Sequence, residues 1–231
     1  MQTLCKIHIL GSSPSLNVLR QHERGFLMRY YIADCHFDHY ALNERMDKRG
    51  FSTVEEMNEA MIKAWNSRVH KNDEVVILGD ICMGKADRAT EIIKQLKGKK
   101  YLVIGNHDRF LKDKSFDRSL FKEIAPYMEM NDDRRKVILC HYPIFCYNGQ
   151  NRVFEDGSPT TYMLHGHIHN TFDQELVDRF ILETRRESRE IRGKEQRIPC
   201  NIINCFCMYS NYIPLTLNEW VKLNETRLYT K

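Results

Sequence analysis

The sequence predicts an α/β fold with at least partly parallel strands. From Met28 onward, short strand-like runs alternate with helical patterns. Runs such as Val75 to Leu78 are wholly apolar, as expected of strands covered on both faces. Several runs also end in glycine, histidine or aspartate, and the carboxyl ends of strands line the ligand crevice in open α/β sheets.

Residues 1–27 hold the turn formers Gly11, Ser12, Ser13, Pro14 and Ser15 and no sustained period. They read as a peripheral N-terminal extension, with Met28 as the true or an alternative start and residues 28–231 as the domain. The competing reading is an edge strand over Leu4 to Leu10. Met28 to Ala33 is the first strand. A helix follows over Phe51 to Val69, with Ser52 and Glu55 as a capping box and Val54, Met57, Met61, Ala64 and Trp65 on one face. Glu74 to Gly79 is a buried strand. Ala86 to Lys97 is helical on an Ile92, Ile93 and Leu96 face, with Gly98 as its stop. Tyr101 to Ile104 is a strand. Lys114 to Met130 is expected to contain a helix broken before Pro126. Lys136 to Cys140 and Tyr162 to Leu164 are strands, Asp173 to Gly193 is a charged helix, and Ile198 to Met208 is a late strand region.

The chain has 231 residues, of which 42% are hydrophobic and 29% charged, which suits one mid-sized domain with a real core. No apolar run approaches the roughly 18 residues a membrane span needs. The net charge of +4 does not point to nucleic acid. The span from Asp173 to Arg197 carries seven basic and seven acidic residues, a solvated face laced with ion pairs. Lys94, Lys97, Lys99 and Lys100 close a helix, where cations suit the dipole. The eight cysteines exceed what this core-rich chain needs for stapling and read as reduced thiols in a cytoplasmic protein.

Five strand ends carry the chemistry: Asp34-Cys35-His36, Gly79-Asp80, Gly105-Asn106-His107-Asp108, His141 with Tyr142-Pro143, and Gly166-His167-Ile168-His169. Imidazole, carboxylate and amide oxygen suit manganese, iron, zinc, cobalt or nickel. If the segments are extended, alternation aims both residues of Asp34-x-His36, and both of His167-x-His169, to one face. The three glycines allow sharp turns and leave space beside a metal. Seven ligand candidates exceed one tetrahedral site and suit two metals sharing a carboxylate.

In that order these blocks resemble the calcineurin-like metallophosphoesterase superfamily, and His141-Tyr142-Pro143 resembles its small single-domain bacterial and phage members. The resemblance implies a four-layer αββα sandwich of two packed mixed sheets. It implies that Asp34, His36 and His169 bind one divalent ion, that Asn106, His141 and His167 bind a second, and that Asp80 bridges them, with manganese favoured. It implies that Asn106 and His107 meet the substrate, that His107 serves the leaving oxygen, and that Asp108 orients His107. The expected activity is phosphomonoester or phosphodiester hydrolysis by in-line attack of a metal-bridging hydroxide on a small-molecule or nucleotide-like substrate. The alternative is a non-catalytic metal-binding or interaction protein on the same fold. The sequence lacks the aspartate-arginine-glycine continuation of serine/threonine protein phosphatases after Asp80, and Asp108 stands where those carry glutamate. His39 and His165 are left outside the site, His165 as a packing or hydrogen-bonding residue. Cys35, Cys82 and Cys140 are expected to face away from it. Phe145, Tyr147, Asn148 and Arg152 are candidates for substrate choice.

Overall fold

A computed structural model describes residues 27–191 and 193–230. Apart from Leu27, the expected extension lies outside them. Four strands form the first sheet in chain order: β1 (Arg29–Ile32), β2 (Glu74–Ile77), β3 (Lys99–Val103) and β4 (Phe121–Ala125), all paired parallel. The second sheet is mixed. Its order is β10 (Ile202–Asn204), β7 (Thr161–His165), β6 (Arg135–Cys140) and β5 (Tyr127–Asp132), with only β5 antiparallel to its neighbour.

Alternation along the strands builds the layers. Tyr30 and Ile32 of β1 turn to one core with Val75 and Ile77, against Met57, Met61 and Trp65 of helix α1 (Val54–Arg68) and Ile92 and Ile93 of α2 (Ala86–Gln95). Tyr31, Ala33, Val76 and Leu78 turn the other way and meet Val137, Leu139 and Leu164 of the second sheet. The far face of that sheet, with Ile138, Met163 and Ile202, packs on Val177 and Ile181 of α3 (Phe172–Thr184) and on Leu228 of α4 (Leu217–Tyr229). Both sheets are thus covered on both faces, which is why their strands read as unbroken apolar runs. The layers run helix, sheet, sheet, helix. No helix among the described residues is long and apolar enough to cross a membrane.

The structure corrects several element expectations. Lys114 to Met130 holds no α-helix. A 3₁₀ turn at Arg118–Leu120 leads into β4 and then β5, with Pro126 between them. The chain changes sheets at that proline, where a missing N–H costs no ladder bond. The charged helix stops at Thr184, because the Arg185 guanidinium turns into the Pro199 carbonyl and the Glu225 carboxylate. Residues Ser188–Ile191 and Lys194–Arg197 then pair as the hairpin β8–β9 around Gly193, whose φ is 75°. The cap of α1 falls one residue later than expected, on Thr53, whose hydroxyl accepts from the Glu56 amide at 3.0 Å. Of the late strand region only Ile202–Asn204 is regular strand. Helix α4, to which the sequence reading assigns no element, opens on a capping box of Thr216 and Glu219. In the lysine cluster, the Lys100 ammonium donates to the Leu96 carbonyl at 2.7 Å, just past the end of α2.

Candidate metal centre

All five motif blocks meet at the carboxyl ends of the inner strands. Past β1 and β2 the two chains run on side by side, with the amides of Asp34 and His36 donating to the carbonyls of Gly79 and Asp80 at 3.1 and 2.9 Å. The Ala33 amide donates to the Cys205 carbonyl, and the Gly166 amide to that of His141. These bonds stitch the loops of the two sheets into one rim.

The rim brings the seven predicted ligands together. Ring nitrogens of His36 and His169 stand 3.2 Å apart. One oxygen of Asp80 lies 3.5 Å from His36 Nε2 and 3.4 Å from His141 Nε2, so this carboxylate touches both halves of the cluster. His169 Nε2 is 3.8 Å from Asp34. The side-chain oxygen of Asn106 accepts from His141 Nε2 at 3.0 Å and His167 Nδ1 at 2.9 Å. Asp34, His36 and His169 form one group with the spacing a cation needs, and Asp34, Asp80 and His141 form another.

The backbone accepts strain to do this. Asp34, His36, Asp80, His167 and His169 all have positive φ, between 47° and 72°. Such conformations cost about 1–3 kcal/mol each away from glycine and gather where a site demands them. All three glycines of the motif blocks make room, and a Cβ on Gly79 would overlap the His141 ring. A Cβ on Gly105 would overlap the Asp80 carboxylate, and one on Gly166 would stand 2.6 Å from Asp34 Oδ2.

Burial grades across the cluster. Asp34, His36, Asp80 and His141 are buried, His107 and His169 are half-buried, and Asn106 and His167 are exposed. Burial pushes Asp34 up to about 6, against the pull of His169 and His141. It works to raise Asp80 as well. There the hydrogen bond and charge of His141, with His36 and the His107 amide, prevail and draw it down to about 2. Burial works to lower His141, but Asp80 and Asp34 carry it up to about 9. In His36 burial wins and holds the imidazole well below its ordinary value. Two carboxylates and several imidazoles facing each other at these distances fit a divalent cation, which would relieve their mutual repulsion.

The orienting role expected of Asp108 is not what the structure shows. Its carboxylate accepts from the amides of Gly105, Asp80 and Ile81 at 2.8, 3.0 and 2.9 Å. His107 Nδ1 is buried without a partner. Asp108 therefore ties the second and third loops together, while His107 is placed through its own amide, which donates to Asp80 at 2.7 Å. Burial pushes Asp108 up to about 6, against those three donors.

Other side chains fall as follows. His165 is buried, its Nδ1 donating to the Gly166 carbonyl at 2.8 Å, a hydrogen-bonding role as expected. His39 lies edge-on to His36 at 5.5 Å and accepts from the Leu42 amide. Cys35, Cys82, Cys205 and Cys207 are buried, Cys140 is half-buried, and the seven described cysteines are all free thiols. Tyr147 is buried, its hydroxyl accepting from the Asn201 amide, and Asn148 donates to Glu129, so both brace their loop.

Three neighbours of the cluster are not among the predicted site residues. Asp47 accepts from His169 Nδ1 at 2.8 Å. Phe206 stacks on the His169 ring at 4.7 Å. Exposed Tyr142 stands edge-on to His167 at 4.5 Å and His141 at 5.1 Å. Only Tyr142 had a sequence signal, its place directly after the lone histidine.

Comparison with known proteins places the chain in a family. The model of the calcineurin-like phosphoesterase family matches residues 30–202. The uncharacterized protein MJ1445 of Methanocaldococcus jannaschii is 31% identical over 198 residues, covering 85% of this chain and 90% of that one. The gene 66 protein of Mycobacterium phage L5 is 32% identical over 120 residues, covering 50% of this chain and 48% of that one. The crystal structure of a protein of unknown function from Aquifex aeolicus shares the fold at 20% identity, with a TM-score of 0.57 over 86% of this chain and 100% of that one. The family's span runs from β1 into β10 and so takes in all five loops that build the rim, and this chain belongs to the calcineurin-like phosphoesterases.

Proposed function

We propose that the chain hydrolyses phosphoesters at a centre of two divalent cations, one held by Asp34, His36 and His169, the other by Asn106, His141 and His167, with Asp80 between them. The observation that carries this reading is the position of the Asp80 carboxylate, within 3.5 Å of an imidazole nitrogen in each half. Two divalent ions held by these residues would supply the Lewis acidity that activates water and stabilises a phosphoryl group.

The chain supplies the rest. Buried Asp34 and Asp80 offset part of the cations' charge and leave the site attractive to an anionic ester. Exposed Asn106 and His167 and half-buried His107 form the open side, from which a phosphoryl group enters. His107, fixed through its amide on Asp80, presents its imidazole to the leaving oxygen. The substrate is a small or nucleotide-like ester, manganese is the favoured metal, and the free thiols suit a reducing, cytoplasmic setting.

The test is a panel of p-nitrophenyl phosphate and bis(p-nitrophenyl) phosphate run with manganese, zinc, cobalt and nickel. Hydrolysis of at least one ester should depend on metal and fall by at least about a hundredfold in Asp80→Ala, with the fold retained. A folded, doubly loaded wild-type protein that cleaves neither ester refutes the reading.

A further inference from the structure

We propose that Asp47 and Arg49 are positioning residues that set the affinity of the half of the centre formed by Asp34, His36 and His169. The inference rests on the metal-binding reading above and goes beyond the family's motif blocks, none of which includes residues 37–50.

The geometry is a clamp between the two sheets. Asp47 follows a five-residue helical turn, Leu42–Met46, and its amide donates back to the Leu42 carbonyl at 3.1 Å. One oxygen of Asp47 accepts from His169 Nδ1. That bond fixes the tautomer and turns Nε2, with its lone pair, toward Asp34 and His36. The other oxygen accepts from Arg49 Nη2 at 3.0 Å and Nε at 3.2 Å. The same guanidinium donates onward to the carbonyls of Cys35 at 2.6 Å and Asp34 at 3.1 Å. Arg49's side chain is fully buried. One planar cation thus grips both the carboxylate that aims His169, past the end of the second sheet, and the backbone that joins the strained Asp34 to His36, past the end of the first.

Only arginine meets that demand. Its rigid fork presents donors in two directions at once, whereas a lysine ammonium offers a single compact point. Buried and satisfied at each donor named, Arg49 costs more to lose than any surface pair of the same charges. Asp47 in turn strengthens His169 as a donor to metal, as a carboxylate behind a ligating imidazole does.

The experiment is calorimetric titration of the metal-free full chain with manganese, alongside the visible absorption of the cobalt form. Wild type should bind in two steps. Asp47→Ala should weaken one step about 10–100-fold and leave the other within about twofold, with the cobalt bands altered. Asp47→Glu should recover part of the loss. Arg49→Lys should weaken the same step, and where Arg49 variants fail to fold, the Asp47 series decides. Unchanged affinity and cobalt spectrum in a folded Asp47→Ala protein overturn this proposal alone. A wild type that binds no metal at all overturns the parent reading and this inference with it.

Discussion

The two halves of the candidate metal centre are built by different means. Around His169 the support is ionic and buried: a carboxylate behind the ring, a guanidinium behind the carboxylate, and two backbone carbonyls behind the guanidinium. Around His141 and His167 the acceptors behind the rings are uncharged, although the Asp80 carboxylate also faces His141 Nε2 at 3.4 Å. His141 Nδ1 donates to the Leu78 carbonyl at 2.8 Å, and the Asn106 amide spans the two rings. The first half is closed over by Phe206, while the second opens at His167 and Tyr142. A charged network in a low-dielectric setting holds its members in one arrangement, whereas amide and backbone acceptors leave an exposed ring freer to yield. On the proposed function, the contrast would give holding of metal to one side of the centre and reception of the ester to the other.

The largest test of that division is His107 on the open side. His107→Gln should lower kcat by about 10²–10⁴-fold while metal content by elemental analysis stays at the wild-type value. Loss of metal along with activity would break the division. Next in size is Asp108. Asp108→Asn puts an NH₂ group against backbone amides that now donate to a carboxylate, which costs about 2–3 kcal/mol, or roughly 5–10 °C in Tm for a chain of this length. Thermal unfolding of the metal-free protein measures it. A variant with unchanged Tm and altered pH dependence of kcat would return Asp108 to the orienting role the sequence suggested.

What the sequence made legible follows from which physics is local. The ligand blocks sit at ends of strands whose apolar runs are plain, so their convergence followed from an α/β sheet alone. The layered arrangement came only with the family resemblance. The strands β4 and β5 went unread because Pro126 between them suggested a broken helix, although Met128 and Met130 alternate with Tyr127, Glu129 and Asn131 as a half-exposed edge strand should. The hairpin β8–β9 hid inside a run of charges that also suits a helix surface. The role that the resemblance implied for Asp108 differs from its observed contacts, because the partners of a carboxylate in a loop are set by the neighbouring loops, here the amides of Gly105, Asp80 and Ile81. Asp47 was invisible for the same reason: its partner His169 lies 122 residues away.

The finest test compares two histidines with the metal removed. Stripped by chelator, the protein keeps only the contacts its own side chains make. His169→Ala then takes away the hydrogen bond to Asp47 and the stacked face of Phe206, and leaves a half-buried carboxylate beside Arg49 with one acceptor oxygen idle. That should cost about 1–2 kcal/mol in denaturant unfolding. His167→Ala removes an exposed ring whose polar contact is to an exposed asparagine, and should stay within about 0.5 kcal/mol of wild type. With metal restored, each variant should lose part of the stabilisation that metal gives wild type, if His169 and His167 are ligands as proposed. Equal costs in the metal-free state would mean that the ionic network behind His169 forms only around a bound cation, and the closed half would then be no more preorganised than the open one.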